Sequence, residues 1–187
     1  MVPLLIVLAV VVLVVGFVVV GFNKLRTADI GAQEALGGID VQLTRRAELV
    51  PNLVETVKGY AAHEREVFEE VTRARAGVAA AAGGDDVAAR AAADAALQQA
   101  LVRLNAVAEA YPDLKADQNM GRLMEELTST ENRIAFARQA FNDGATVYNI
   151  ATEVFPNNIF AGMFRFDRAT LWEVESPEEK QAVQVSF

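Results

Sequence analysis

The chain has 187 residues, of which 52% are hydrophobic and 22% charged, and its formal net charge is −8. This acidic balance argues against nucleic acid as a partner, because phosphates favour surfaces rich in Lys and Arg. The sequence contains no Cys and one His, which excludes disulfides and thiol chemistry and disfavours most zinc sites and His-based acid–base catalysis.

The first predicted element is an apolar helix over residues 2–22, a stretch without any charged side chain. At ~1.5 Å per residue a helix of this length spans roughly 31 Å, about the thickness of the hydrocarbon core of a bilayer. A lone strand of this composition would leave its backbone groups unpaired in lipid, so we expect a helix. The residues that we expect to span the membrane include Val2, Leu5, Leu13, Phe17 and Phe22.

The residues after this helix indicate its orientation. A cleaved signal peptide is the alternative, but it would need a basic segment first, and only Met1 precedes the apolar run. Lys24 and Arg26 follow directly, and positive charge stays on the cytoplasmic side. We therefore predict a single-pass anchor with a basic collar over residues 1–26, with the N-terminus outside and the remaining chain in the cytoplasm.

Residues 32–78 show apolar positions at alternating spacings of four and three, which is typical of helices that pack together. Pro51 lies in the middle of this pattern and must kink or end a helix. The unbroken phase favours a kinked rod over residues 27–78. The lengths of the later segments favour a break, because four comparable helices would then cover one another's apolar faces.

Two turn signals divide the rest of the chain. Gly83 and Gly84 should end one helix, and Asp85 is a suitable N-cap for the next, which runs through an Ala-rich tract to Tyr111. The last long helix is predicted over 117–154, and Gly144 within it indicates close packing against another helix.

An aromatic segment and a short tail follow Pro156. Four apolar residues of this segment are expected either to meet lipid or a neighbouring anchor, or to cover the helical core of the same chain: Phe160, Met163, Phe164 and Phe166. The tail alternates in polarity like a strand, so Val185 and Phe187 are candidates for adding to the groove of a partner protein.

Several runs in this sequence resemble the LemA family. The most specific is Leu49–Tyr60, which reads LVPNLVETVKGY, and the match extends over nearly the whole chain. Further runs that carry the resemblance are Gly38–Leu43, His63-Glu64, Glu126–Thr128, Glu131–Ile134, Phe141-Asn142, Tyr148-Asn149 and Phe155–Asn158. The resemblance implies a bacterial single-pass membrane protein whose cytoplasmic domain is an all-α four-helix bundle, which favours a break at Pro51. It implies no established enzymatic activity.

Polar residues near Pro51 and in the last helix are the other candidates for interaction: Asp40, Arg45, Arg46, Asn52, Glu131, Asn132 and Arg133. Asp40 and Arg46 lie in or beside the apolar seam, so we expect buried ion pairs that fix the register of the helices. The same cluster could instead form a surface for a partner. His63 and Glu64 lack further metal ligands, and the carboxylates of the last helix lack the His residues of a di-iron bundle.

We therefore predict an all-α protein with a single N-terminal transmembrane helix followed by an antiparallel four-helix bundle of long helices. The predicted divisions are an anchor over 1–26, a LemA-like bundle over 27–158 and an aromatic segment with a tail over 159–187. The expected function is a non-enzymatic scaffold at the bacterial inner membrane that requires no cofactor or metal and forms a homo-oligomer. Gly16 and Gly21 lack the spacing of a close dimer motif, so assembly is assigned to the cytoplasmic helices. The alternative is an accessory or adaptor subunit of a membrane enzyme such as a protease.

Overall fold

The computed structural model describes residues 2–84 and 86–173, and within these ranges the only regular elements are helices. The predicted all-α class is therefore confirmed. Val185, Phe187 and Asp85 lie outside the described residues. The six helices are α1 (Val2–Lys58), α2 (Arg65–Ala81), α3 (Val87–Ala110), α4 (Pro112–Lys115), α5 (Gln118–Glu153) and α6 (Asn157–Phe164).

The longest helix, α1, passes through Pro51 and ends at Lys58, so the predicted break at Pro51 is wrong. A proline inside a helix leaves the carbonyl four residues earlier without its usual N–H donor. Here that carbonyl belongs to Ala47, and the Nε of Arg75 donates to it over 2.9 Å. The kinked rod over residues 27–78 is not formed either, because residues 59–64 are not helical.

The turns between the later helices follow the sequence signals with one difference at α3. Gly83 adopts a φ of 73°, which glycine tolerates best, and the chain then turns into α3. The N-cap of α3 is Asp86, whose carboxylate accepts a hydrogen bond from the N–H of Ala89 over 3.0 Å. Asp117 caps α5 in the same way, since its carboxylate accepts from the backbone N–H groups of Asn119 and Met120.

The chain divides into two compact units. The described residues of unit 1 are 2–39 and 135–171, which include the apolar part of α1, the second half of α5 and all of α6. Its buried cluster joins Leu25 to Ala151, Phe160 and Ala161. Gly144 of α5 lies against Ala32 of α1: a Cβ at this glycine would be 3.7 Å from the Ala32 Cα, as its predicted packing role requires.

The described residues of unit 2 are 40–84, 86–134 and 172–173, which include the rest of α1, helices α2 to α4 and the first half of α5. The apolar seam predicted for α1 is buried here at Leu43, Val50, Leu53 and Val57. The α3 positions Leu97, Leu101 and Leu104 are buried as well. The heptad-like spacing of apolar residues thus identified these inward positions of α1 and α3.

Candidate interaction surfaces

The apolar part of α1 is almost entirely uncovered. Val2, Leu5, Leu13 and Phe17 are 68%, 64%, 72% and 53% exposed, respectively. Among residues 2–84 and 86–173, α1 is the one helix long and apolar enough to cross a membrane. A contiguous apolar surface of this size is rare in a monomeric soluble protein, so this part of α1 is a candidate membrane anchor.

Helix α6 packs on the end of this apolar part, within unit 1. The ring of Phe160 lies 5.3 Å from that of Phe17 and covers Gly21, where a Cβ would collide with it. Phe22 meets the rings of Phe164 and Phe166 at 5.0 and 5.7 Å. Phe160 is therefore buried against the chain's own α1, whereas Met163 and Phe164 are 63% and 42% exposed.

The segment after α6 is fixed to α5 by side chains that sequence reasoning did not select as site residues. The hydroxyl of Tyr148 donates to the carbonyl of Asp167 over 2.7 Å. The amide of Asn149 donates to the carbonyl of Ala169 over 2.9 Å and accepts from its N–H over 2.8 Å. Burial raises the pKa of Tyr148, and the negative charges of Asp29 and Asp167 add to the effect. The Tyr148-Asn149 pair within the resemblance was the one signal of this role.

Three of the predicted polar candidates, Asp40, Arg46 and Glu131, form ion pairs inside unit 2. Arg46, which is fully buried, forms ion pairs with the carboxylates of Asp94 and Glu131, the latter over 2.8 Å. Asp40 pairs with Arg90 over 3.0 Å, and Arg90 also donates to the carbonyl of Gly84. The ion pair expected at Arg46 is thus buried on both sides at Asp94, whereas the carboxylates of Glu131 and Asp40 are 36% and 23% exposed. These contacts join α1 to α3 and α5, so they hold helices together rather than offering a free surface.

The other candidates near Pro51 and in α5 lie at the surface. The exposed members are Arg45, Pro51, Asn52, Asn132 and Arg133. Lys24 and Arg26 are exposed as well, and Arg26 pairs with Asp29. Within the described part of the chain, no group of three or more His, Cys, Asp or Glu side chains is placed to share a metal ion.

A groove of about 280 Å³ runs between α3 and α5 in unit 2. Its walls are mostly apolar and include Leu101, Val102, Met124 and Leu127. Arg46, Glu131 and Asn132 line it together with other polar side chains. The groove is open, so the side chains of a partner helix would have access to it.

Helix α5 also presents an apolar stripe on its outer side in unit 1. Phe136, Val147 and Ile150 are 78%, 62% and 55% exposed, and Ala140 is exposed between them. We call these four residues the outer stripe. With Asp143 they complete a spacing of four and three, which is the pattern of helices that associate side by side.

The sequence profile of the LemA family matches residues 35–187, most of the chain. The chain belongs to the LemA family. The match begins within unit 1, at residue 35, and excludes the whole apolar part of α1. This LemA-family protein is therefore similar to its family in the helical region where the ion pairs, the groove and the outer stripe are found.

Three curated relatives are similar to this LemA-family chain. Magnetosome protein MamQ 1 and MamQ 2 of Paramagnetospirillum magneticum are both 29% identical over 175 residues, covering 81% of this chain and 64% of each relative. Magnetosome protein MamQ of Magnetospirillum gryphiswaldense is 29% identical over 170 residues, covering 79% of this chain and 62% of the relative. The chain thus spans less than two thirds of the length of these relatives.

Proposed function

We propose that this LemA-family protein is a non-enzymatic, membrane-anchored helical scaffold whose copies assemble at the bacterial cytoplasmic membrane. The observation that carries the proposal is α1 itself. One continuous helix begins with an exposed apolar stretch long enough to span a bilayer and ends in a unit held by buried ion pairs. The names of the MamQ relatives, which are magnetosome proteins, support a role at a membrane.

The proposed orientation has the N-terminus outside and the helical domain in the cytoplasm. Its support is the placement of Lys24 and Arg26 directly after the apolar stretch, since basic residues remain on the cytoplasmic side. A phosphatase that is active only outside the cytoplasm, fused to the C-terminus, should be inactive. An active fusion would reverse the orientation.

We also propose that the helices of unit 2 form an antiparallel four-helix bundle. Arg46 of α1 contacts both α3 and α5, and Arg103 near the end of α3 pairs with Glu70 near the start of α2 over 2.8 Å. Such contacts are those expected when neighbouring helices run in opposite directions. Two cysteines introduced at positions 70 and 103 should be joined by a short thiol-specific cross-linker. Failure to cross-link would contradict this arrangement of α2 and α3.

Self-assembly is proposed to use the outer stripe. Membrane anchoring places the α5 helices of neighbouring copies at the same height, so identical stripes can meet. Asp143 interrupts the stripe, and Gln139 of the same helix donates a hydrogen bond to it over 2.8 Å. A single polar residue in an apolar seam commonly restricts register and the number of copies.

The test is the mass of the detergent-extracted full chain by size-exclusion chromatography with light scattering. We expect a homo-oligomer for the wild type and a monomer for the Val147→Glu/Ile150→Glu variant, because burying these charges in the seam is costly. Thr146→Glu adds the same charge at an exposed neighbouring position outside the stripe and should leave the oligomer intact. A monomeric wild type would contradict self-assembly.

The alternative function, an accessory subunit of another membrane protein, is favoured by one observation, the apolar groove between α3 and α5. In that case the wild type should be a monomer that copurifies with a second protein. Leu127→Glu in the groove should then remove that protein, whereas the outer-stripe variant should retain it. The two functions thus give opposite results in the same pair of variants.

A further inference from the structure

Helix α6 contacts α1 at a defined depth along its apolar stretch. Phe160 packs on Phe17 and Gly21, whereas Phe164 and Phe166 pack on Phe22. Phe22 is the last apolar residue before the polar Asn23 and Lys24. Since a helix rises ~1.5 Å per residue, Phe17 lies roughly 7 to 8 Å further into the apolar stretch than Phe22. The ring of Phe160 therefore lies well inside the level at which α1 would leave the hydrocarbon.

The outward side of this segment is apolar. Phe155, Ile159 and Met163 are 79%, 52% and 63% exposed, and their spacing of four residues places the two in α6 on one face. Residues 154–164 contain no charged side chain. In water this face would be an unfavourable apolar surface, whereas at the depth of Phe17 it would meet lipid chains.

Charged residues begin on both sides of the uncharged segment. Glu153 precedes the segment and Arg165 follows it. Arg168 forms an ion pair with Glu153 over 3.0 Å, which links the two ends of the segment. Arg165 adopts a left-handed φ of 58°, at the position after a helix where glycine is preferred. Together with Lys24, this arginine is placed at the level of Phe22, where the phosphates of a bilayer surface would lie.

We infer that residues 154–164 insert into the same lipid leaflet as the second half of the anchor, forming a re-entrant segment. The inference rests on the proposed function, because it requires α1 to span the bilayer. Backbone hydrogen bonds hold both ends of the segment, from the N–H of Asn158 to the carbonyl of Val154 and from the N–H of Phe166 to the carbonyl of Ala161. Asn157 at the start of α6 is buried in the protein, as a polar side chain of a segment in lipid requires. Its apolar face reaches the ~5–10 Å depth of interfacial helices. The occupant of this face is the lipid chain region rather than a second protein.

The absence of native Cys allows single-cysteine variants to be labelled with an environment-sensitive fluorophore in the full chain. Met163→Cys reports on α6, and Ile159→Cys is a second reporter on the same face. Val12→Cys, at an exposed position of α1, reports on the anchor itself. Ala135→Cys, at an exposed position of α5 in unit 1, is the reference outside lipid. Along the axis of α5, Ala135 lies roughly 28 Å from the start of the segment at Val154, at ~1.5 Å per residue.

Each variant is reconstituted into phosphatidylcholine/phosphatidylglycerol vesicles with and without lipids that carry a quencher on the acyl chain. We expect labels at Met163, Ile159 and Val12 to shift to shorter emission wavelengths and to lose most of their intensity with the quencher lipids. The label at Ala135 should show neither change. Quenching at Val12 without quenching at both α6 positions would overturn the inference while leaving the anchor intact.

A shorter emission wavelength at Met163 without lipid quenching would mean that another protein surface covers α6, and it would also overturn the inference. No quenching at Val12 would show that α1 is not in the bilayer. In that case the proposed function fails together with the re-entrant segment. The two failures are therefore distinguishable.

Discussion

The Nε of Arg75 donates a hydrogen bond to the backbone carbonyl of Ala47 over 2.9 Å. This carbonyl is four residues before Pro51, which has no N–H to offer it. A side chain from α2 thus replaces the hydrogen bond that α1 loses at the proline. The contact explains how α1 continues to Lys58 and links the two helices at the same point.

This contact predicts a coupling between Arg75 and Pro51. Arg75→Leu should lower the free energy of unfolding by about 1 kcal/mol, because the Ala47 carbonyl loses its donor. In a Pro51→Ala background the same change should cost much less, since the substituted alanine restores the backbone N–H within α1. Thermal and urea unfolding of the four proteins in detergent, followed by circular dichroism, gives the coupling. Arg73→Leu, at an exposed position of the same helix, is the control.

The difference between prediction and structure at Pro51 has a physical cause. Local sequence indicates that a proline disturbs a helix, but the residue that compensates lies on another helix. Its distance along the chain, 28 residues from Ala47, makes it invisible to any local pattern. The anchor and the all-helical class were predictable because a long uncharged stretch and the periodic spacing of apolar residues are themselves local.

The candidate surfaces were predictable to a lesser degree. A basic residue in an apolar seam must have a partner, so an ion pair at Arg46 could be inferred from sequence. Its partner Asp94 could not, because the Ala-rich tract around it gives little indication of which face is inward. From the sequence, Gly21 was considered only for the spacing of a close helix-dimer motif. In the structure its neighbour is Phe160, because α5 returns the chain to this part of α1.

Arg46 is expected to be one of the most sensitive positions for stability. Arg46→Met would leave Asp94 buried without this cation, and breaking a buried pair in this way typically costs about 3–5 kcal/mol. Arg46→Met/Asp94→Leu should recover much of that loss, because no buried carboxylate remains at position 94. The free energy of unfolding in urea measures both effects.

The neighbouring residue provides the matched control for this prediction. Arg45 is exposed, so Arg45→Met should change stability little. Glu131→Gln should have an intermediate effect, since the Glu131 side chain is 36% exposed. Equal effects of Arg46→Met and Arg45→Met would contradict the role assigned to the buried ion pairs.

Asp117 gives unit 2 a dependence on acid pH. The backbone N–H of Met120 is the main cause that lowers the pKa of Asp117, and the Tyr60 hydroxyl, which donates to it over 3.1 Å, lowers it further. Because the folded pKa lies below the unfolded one, this stabilisation is complete above about pH 4 and is lost as pH falls through the folded pKa. Asp117→Asn should therefore flatten the decline in unfolding temperature between neutral and acid pH.

The same pair acts in the opposite direction at alkaline pH. The hydrogen bond to Asp117 is the main cause that raises the pKa of Tyr60, and the carboxylate's charge adds to it. Stability from Tyr60 is thus complete below its unfolded pKa of about 10 and is lost as pH rises through the folded value. Tyr60→Phe should remove this alkaline decline, whereas Asp113→Asn should retain most of it. A wild-type and a Tyr60→Phe profile that coincide would contradict the assignment.

The contact between Gly21 and Phe160 predicts that two similar substitutions in α1 have different effects. In Gly21→Ala the new Cβ collides with the Phe160 ring, so this ring, or α6 with it, must shift away from α1. Overpacking of this kind typically costs about 1–3 kcal/mol. Gly16→Ala is the matched control, because nothing lies within 4 Å of the Cβ that it would add.

The unfolding temperature in detergent should fall for Gly21→Ala alone. A fluorophore attached at position 163 should change its emission in Gly21→Ala but not in Gly16→Ala. Two variants with identical unfolding temperatures and emission spectra would show that α6 does not pack on α1 at this position.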